Sequence, residues 1–382
     1  MSRRTRVRLL GLTALVGGVF FFWSERQILP GSGRPAPPQK NADLVEAVVR
    51  LIRNDYVEEP DASKTMRGGF QGMINSLDAL SSFLDKAEAQ KLADPGRSRF
   101  KDLGLIVFKR ASSFPVVVGI IEGSPAEKEG IRVGDVISAL DDRSTVLQGL
   151  QEVRLYLKDA LANPVKVRLI RDNQTKEIEV SRGSVYERAY SFRQQAGTAG
   201  ILTIHHFYPP LVETVKREIL PKLTGARGTL ILDLRRAFEG ENDEARRFLN
   251  LFIHSDKAGV FEKKGGVKEP LTCPDAAPLE NRAVVVWTDQ TTMGPAEIVA
   301  ACLRSVKKAK IVGLLSPGLA AHQDIFPLPS GDALLLTTGV FVTASGEKIW
   351  AKGIAPDVRI DVDQADSKTF LEKTRPLLSR LP

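Results

Sequence analysis

Few side chains in this sequence are placed for chemistry. Thr291 and Thr292 stand side by side, and Ser316 follows in a later loop. A hydroxyl attacks a carbonyl only when a positioned base takes its proton, and no base stands beside any of the three in sequence. His205 and His206 are neighbours on an expected strand, where adjacent side chains point to opposite faces, so they cannot chelate one ion together. His322 reads as a loop residue, and His254 as the C-terminal end of the helix before it. Cys302 reads as a small core residue on a helix and Cys273 as part of a proline-rich loop. A bridge between the two is compatible with an oxidising compartment. The chain has no Cys-x-x-Cys pair and no glycine-rich phosphate loop, so no metal and no cofactor are expected.

The 382 residues are 43% hydrophobic and 26% charged, enough apolar mass to bury more than one core. Wholesale disorder, a collagen and a polytopic membrane protein are excluded. Of the net charge of +8, Arg3, Arg4, Arg6 and Arg8 supply half. No basic stripe interleaved with aromatics follows, so no nucleic-acid partner is expected. The arginines precede an uncharged run over residues 9–23, which reads as an uncleaved signal anchor within 1–30, with a cleaved signal peptide and a buried core helix as the alternatives. Phe20, Phe21, Phe22 and Trp23 stand where cleavage of a leader would need small residues. Arginines on that side place the N-terminus in the cytoplasm and the folded part outside it, in the periplasm or cell envelope. Residues 31–40, rich in Gly and Pro, form a linker.

Helical spacing then appears at Leu44, Ala47, Val48, Leu51 and Ile52, with Asn41 or Asp43 as N-cap, and again over 65–77. These place a small helical region at 41–99. From Asp102 the period becomes that of strands. Strands are expected over 103–108 and 116–121, and a short helix capped by Ser124, opened by Pro125 and closed by Gly130. An amphipathic helix over 148–161 follows, then a hairpin of 165–171 with 176–180 around Asp172-Asn173-Gln174. Together they make a β module at 100–183. Over 184–364 strands and helices alternate. The strands fall at 201–204, 229–234, 283–287 and 311–314, the helices at 210–223, 243–252 and 295–305. A hairpin-like pair, 333–338 and 340–343, comes after them. Alternation of this kind implies an α/β layered domain. Residues 365–382 are left as a tail. The expected fold class is a multidomain α/β and α+β chain.

The β module resembles a PDZ domain. Its motifs are Leu103-Gly104-Leu105-Ile106, Ile121-Glu122-Gly123-Ser124-Pro125-Ala126 and Gly130-Ile131-Arg132-Val133-Gly134-Asp135-Val136-Ile137. The resemblance implies that the first motif is a loop whose backbone amides hold a peptide's terminal carboxylate. A peptide strand would add to the edge beside Leu105, in a groove walled by the helix carrying Val153 and Leu157. Leu103, Gly104, Leu105, Ile106, Val153 and Leu157 are thus the expected peptide-binding residues, and protein C-terminal tails the expected partners.

From about Asp43 to Asp361 the chain also resembles the carboxyl-terminal processing peptidases, or tail-specific proteases. Leu230-Ile231-Leu232-Asp233-Leu234-Arg235 is similar to the strand before that family's oxyanion loop. The stretch from Phe326 to Thr338, Thr343-Ala344-Ser345-Gly346, and Lys352-Gly353-Ile354-Ala355-Pro356-Asp357-Val358 are similar to its later signatures. The resemblance implies a serine nucleophile and a lysine base. The family's Ser-Ala-Ser-Ala-Ser-Glu-Ile, whose middle serine attacks, is matched by Thr292-Met293-Gly294-Pro295-Ala296-Glu297-Ile298, which puts Gly294 at the nucleophile. The lysine of its Gly-Lys-Gly turn falls on Leu319 in Gly318-Leu319-Ala320, and Gln323 retains the third polar position. In the oxyanion loop Glu239 replaces the first of two glycines and Gly240 keeps the second. The implied function is an envelope-anchored protein that binds C-termini as scaffold or adaptor without cleaving them, with an active protease relative as a further partner. The alternative is an active serine-type endopeptidase with displaced catalytic residues. A structural envelope protein with an empty groove is the third reading.

Overall fold

The computed structural model describes residues 38–94, 100–159, 163–185, 188–362 and 366–378; the expected anchor at 9–23 lies outside them. Among the described residues no helix is long and apolar enough to cross a membrane. The chain divides into two units, residues 1–65 and 66–382. The first contains the helix Pro38–Asp55. Because that helix is already running at Asn41 and Asp43, neither residue caps it. The helix Ala62–Asn75 follows.

The second unit holds the β module and the layered domain. The module is a six-stranded sheet in the order Leu105–Phe108, Val116–Ile120, Val136–Leu140, Pro164–Arg171, Gln174–Ser181, with Arg143–Ser144 paired to the third strand. Burial alternates along Pro164–Arg171, with Val165, Val167 and Leu169 inward, as a half-buried strand requires. Asp172 and Asn173 both have positive φ, 50° and 60°, the paired left-handed geometry of a two-residue hairpin turn. Ser124 caps Pro125–Lys128 as expected, its side chain accepting from the Glu127 N–H. The two ends of the module clamp each other through Asp102 N–H to Gly183 O (2.9 Å) and Gly183 N–H to Asp102 O (3.0 Å).

The helix expected over 148–161 is shorter, Leu150–Leu157. Its start is set by the Gly149 N–H, which donates to Glu152 Oε2 at 2.6 Å. At Lys158–Asp159 the backbone turns extended and pairs with Lys101–Asp102, and the Lys158 ammonium meets two carboxylates described below.

In the layered domain a six-stranded sheet runs Tyr190–Arg193, Gly200–Ile204, Leu230–Asp233, Val284–Thr288, Lys310–Gly313, Val358–Arg359. All neighbours but the first pair are parallel. Parallel strands are buried on both faces, and the side chains sort accordingly. Leu230, Leu232, Val284, Val286 and Ile311 enter the larger core beneath the helix Pro295–Lys307. Ile231, Val285, Trp287 and Val312 enter a smaller one with Phe370. Phe370 belongs to the helix Ser367–Leu378, so this part of the segment set aside as a tail is packed structure.

Other expectations are corrected. The helix over 210–223 is two helices, Leu211–Glu218 and Leu220–Gly225; Pro221 has no N–H to continue the first ladder. The hairpin-like pair at 333–343 is one strand, Ala333–Thr343, with Ser82–Leu84 and Ser255–Lys263 along one edge and Ala321–Pro327 along the other. His322 is therefore on a strand and not in a loop. His254 lies beyond the helix Asn242–Leu249, its Nδ1 3.1 Å from Asp275 O. Cys273 ends the strand Lys268–Cys273. It and Cys302 are both free, with Sγ atoms directed to different carbonyls, Arg246 O and Ala258 O.

Burial pushes the Glu152 carboxyl up to about 7, against bonds from the Gly149 N–H and Gln71 Nε2 that lower it. A folded value above the unfolded one means that the folded state holds the extra proton. The stability from Glu152 is thus fully present below the ordinary carboxylate range and is lost as pH rises through about 7. Thermal unfolding followed between pH 5 and 8 is expected to show a decline that Glu152→Gln reduces. An identical pH profile in the variant would contradict the assignment.

Candidate functional site

The loops that follow the parallel strands converge at their carboxyl ends, the side of an open α/β sheet where ligands bind. They line a cleft of about 920 Å³ together with the β module, and Arg154, Lys158, Tyr208, Phe238, Gly294 and Leu319 are among its walls.

After the strand Val284–Thr288 the chain turns through Asp289. Its carboxylate accepts from Thr291 N–H (2.8 Å) and Thr291 Oγ1 (2.6 Å), while Arg236 N–H donates to Thr291 Oγ1 at 2.8 Å. Thr292 Oγ1 accepts from Asp289 N–H (3.0 Å) and donates to Leu234 O (3.0 Å). Both threonines are buried. Their hydroxyls hold the turn together and do not face the cleft as nucleophiles.

Gly294 closes this turn at φ 56°, ψ −114° and opens the helix Pro295–Lys307. A strand, a strained turn and a helix are the parts of a nucleophile elbow, and such a backbone suits glycine far better than a residue with a side chain. The nearest atom to a Cβ placed on Gly294 would be Leu319 O, at 3.9 Å. The structure thus brings together the two positions that the sequence analysis singled out. Leu319 is buried in one apolar cluster with Phe238 and Met293.

What joins them is Glu297, in the first turn of the helix. Its carboxylate accepts from Gly294 N–H (3.0 Å), Ser316 Oγ (2.5 Å), Gly318 N–H (2.6 Å) and Leu319 N–H (2.6 Å). Burial pushes this carboxyl up to about 7, and the four donors act against that rise. Ser316 is buried too, its Oγ also accepting from Ile354 N–H at 2.8 Å. Gln323 lines the cleft, and its Nε2 donates to Leu80 O at 3.0 Å.

Glu239 and Gly240 form a short strand against His206–Phe207. Gly240 has φ 147°, and a Cβ there would stand 2.5 Å from the Phe207 Cβ, so only glycine fits. Glu239 meets a cation from the β module. Lys158 Nζ donates to its Oε1 (2.6 Å) and Oε2 (2.7 Å), and lies 3.4 Å from Asp102 Oδ2. Burial opposes the charge on Glu239, but Lys158 and Arg154 hold its carboxyl below the ordinary range. Burial likewise opposes the Lys158 charge, which Glu239 and Asp102 more than offset. Neither Lys158 nor Arg154 stood out in the sequence, where both read as polar positions on an amphipathic helix.

The module also touches the turn at Gly294. Gln290 Nε2 donates to Val118 O at 3.1 Å, and a Cβ on Gly119 would stand 2.8 Å from Thr291 Cγ2. Leu103, Leu105, Ile106, Val153 and Leu157 come together as a buried cluster continuous with Leu80, Phe238, Met293 and Leu319. Gly104 has φ 84°, with Ser124 Cβ only 2.1 Å from where its own Cβ would be, and its N–H donates to Asp102 Oδ1 at 2.8 Å. Leu105–Phe108 is the terminal strand of its sheet, the edge that strand addition needs. Among the described residues no His, Cys, Asp and Glu group could hold a metal ion.

Residues 198–360 match the model of Peptidase family S41, and residues 102–181 that of a PDZ domain. The chain carries an S41 peptidase-type core and a PDZ domain. It is similar to a probable CtpA-like serine protease of Staphylococcus aureus strain COL, 25% identical over 367 residues, which cover 95% of this chain and 73% of that protein. A protein of the same name from Staphylococcus haemolyticus strain JCSC1435 is 26% identical over 339 residues, covering 88% and 68%. In fold the chain is similar to the photosystem II D1 C-terminal processing protease, with a TM-score of 0.68, 20% identity, and 88% and 96% of the two chains covered.

Within the S41-type core, Glu297 is expected to be a main determinant of stability. Glu297→Ala leaves three backbone N–H groups and a hydroxyl without their acceptor, a loss on the order of 3 kcal/mol. Urea unfolding measures it directly, and an unchanged midpoint would contradict the role given to this carboxylate.

Proposed function

We propose that this S41-type protein binds protein C-terminal tails through its PDZ domain and does not cleave them, serving as a scaffold or adaptor. The observation that carries the reading is the turn at position 294, which keeps the backbone of a nucleophile elbow around a residue with no hydroxyl. Aligned by motif, Gly294 stands at the family's nucleophile, Leu319 at its lysine and Glu239 at an oxyanion glycine. Loss of a nucleophile in a serine protease lowers kcat by a factor on the order of 10⁶, or roughly 8 kcal/mol of barrier. A negative charge at Glu239 disfavours a developing oxyanion as well. In this reading residues 9–23 anchor the protein in the membrane, with the folded part in the envelope and an active protease relative as a candidate partner.

The relatives' names favour the second reading, an active serine-type endopeptidase. It needs a displaced nucleophile, and Thr291, Thr292 and Ser316 are buried with their hydroxyls engaged in hydrogen bonds.

Calorimetric titration of the purified chain with peptides ending in an apolar residue is expected to show binding of the free acid, weakened by amidation of the same peptide. Mass spectrometry of the mixtures after days should find the peptides intact. Turnover abolished by a serine-directed covalent inhibitor would overturn the non-cleaving reading. Equal affinity for acid and amide, or no binding at all, would overturn tail recognition.

A further inference from the structure

The cleft contains a charge cluster that neither the elbow nor the strand edge explains. Lys158 lies four residues after Arg154, which is on the helix Leu150–Leu157, and both residues line the cleft. Lys158 grips both oxygens of Glu239 and faces Asp102. The Arg154 guanidinium sits 5.8 Å from the Phe238 ring centroid, with Nη2 3.1 Å from Met293 Sδ. Its Nε is buried, and among the described residues it has no hydrogen-bond partner and no carboxylate forms an ion pair with the guanidinium. A half-buried guanidinium left so is costly unless charge is supplied nearby, and the nearby supply is again Glu239. Two cations and two carboxylates cancel. A further carboxylate entering the cleft would find no uncompensated cation while Glu239 stays in place.

We propose that Arg154 and Lys158 form a binding site for a peptide carboxylate within the cleft, and that Glu239 fills it from inside the chain as a tethered substitute. The pairing of Glu239–Gly240 with His206–Phe207 fixes the Glu239 backbone, but its side chain can leave by rotation. A group tethered beside its site competes at an effective concentration of roughly millimolar or above, so free peptides displace it poorly. Without the Glu239 charge, Lys158 keeps only Asp102 at ion-pair distance and Arg154 loses its nearest anion, while Glu241 and Asp243 line the cleft beyond them. Phe238, Met293 and Leu80 supply apolar walls beside this pair, as a peptide ligand would need. The site adjoins the loop before the strand Leu105–Phe108, because Lys158 faces Asp102, whose carboxylate accepts from the Gly104 N–H, so it deepens the tail-binding reading proposed above.

Three short peptides of one sequence separate the sources of the carboxylate: a free acid, an amide carrying one internal Glu, and an amide with Gln in its place. Fluorescence anisotropy with the full chain is expected to show Glu239→Gln binding the free acid at least ~10-fold more tightly than the wild type does, with the Gln amide unchanged. A gain for the internal-Glu amide as well would mean that any carboxylate is read; a gain for the free acid alone would mean that chain ends are. Adding Arg154→Met or Lys158→Met to Glu239→Gln should abolish the gain. Glu239→Gly provides a second opened variant, and melting curves confirm that each is folded. The proposal is overturned if the opened variants keep the wild-type ratio of acid to amide, or if the gain survives either Met substitution. Failure of the wild type to bind tails would count against the PDZ reading and leave this comparison decisive.

Discussion

Four donors converge on the Glu297 carboxylate, and the geometry of the cleft depends on that convergence. The Gly294 N–H belongs to the elbow, while Ser316 Oγ and the Gly318 and Leu319 N–H groups belong to the loop facing it. A carboxylate that accepts several charge-assisted hydrogen bonds inside a protein is a strong and rigid junction. It holds positions 294 and 319 side by side whatever their side chains are. In the proposed reading, the backbone that would hold a catalytic pair persists with a glycine and a leucine in it. The same bonds engage the amides of Gly294, Gly318 and Leu319, so these are directed at Glu297 and away from the cleft.

A second set of contacts joins the PDZ domain to this junction. Gln290 reaches Val118 O, Gly119 admits the Thr291 methyl, and Lys158 bridges Asp102 and Glu239. The apolar side chains expected to line a peptide groove form one buried cluster with Phe238, Met293 and Leu319. Polar and apolar contacts thus act on the same interface. At Arg154 and Lys158 the charge balance is set by Glu239, a residue of the core.

Much of the architecture was legible in the sequence because burial imposes a period. The strands Leu230–Asp233 and Val284–Thr288 are apolar up to their last residue since both of their faces are covered, and the hairpin at Asp172-Asn173 carries its own turn chemistry. Boundaries failed where tertiary pairing overrode local preference. The helix carrying Val153 stops at Leu157 because Lys158 is drawn into a short strand and an ion cluster, and no helical periodicity encodes that. Ala333–Thr343 reads as two strands because Gly339 interrupts it, yet its neighbours on both edges keep it continuous. At the site, the proximity of Gly294 and Leu319 could be read only through resemblance to a family. Lys158 and Arg154 were invisible, since their significance rests on a partner, Glu239, far away along the chain.

The central claim is that the elbow is intact and carries no nucleophile. Incubating the purified chain with excess of an activated fluorophosphonate, followed by intact-mass spectrometry, tests this without any assumption about substrate. The account predicts an unmodified mass under conditions that label an active serine protease to completion. A stoichiometric adduct mapping to Thr291, Thr292 or Ser316 would contradict it and restore a catalytic hydroxyl to this cleft.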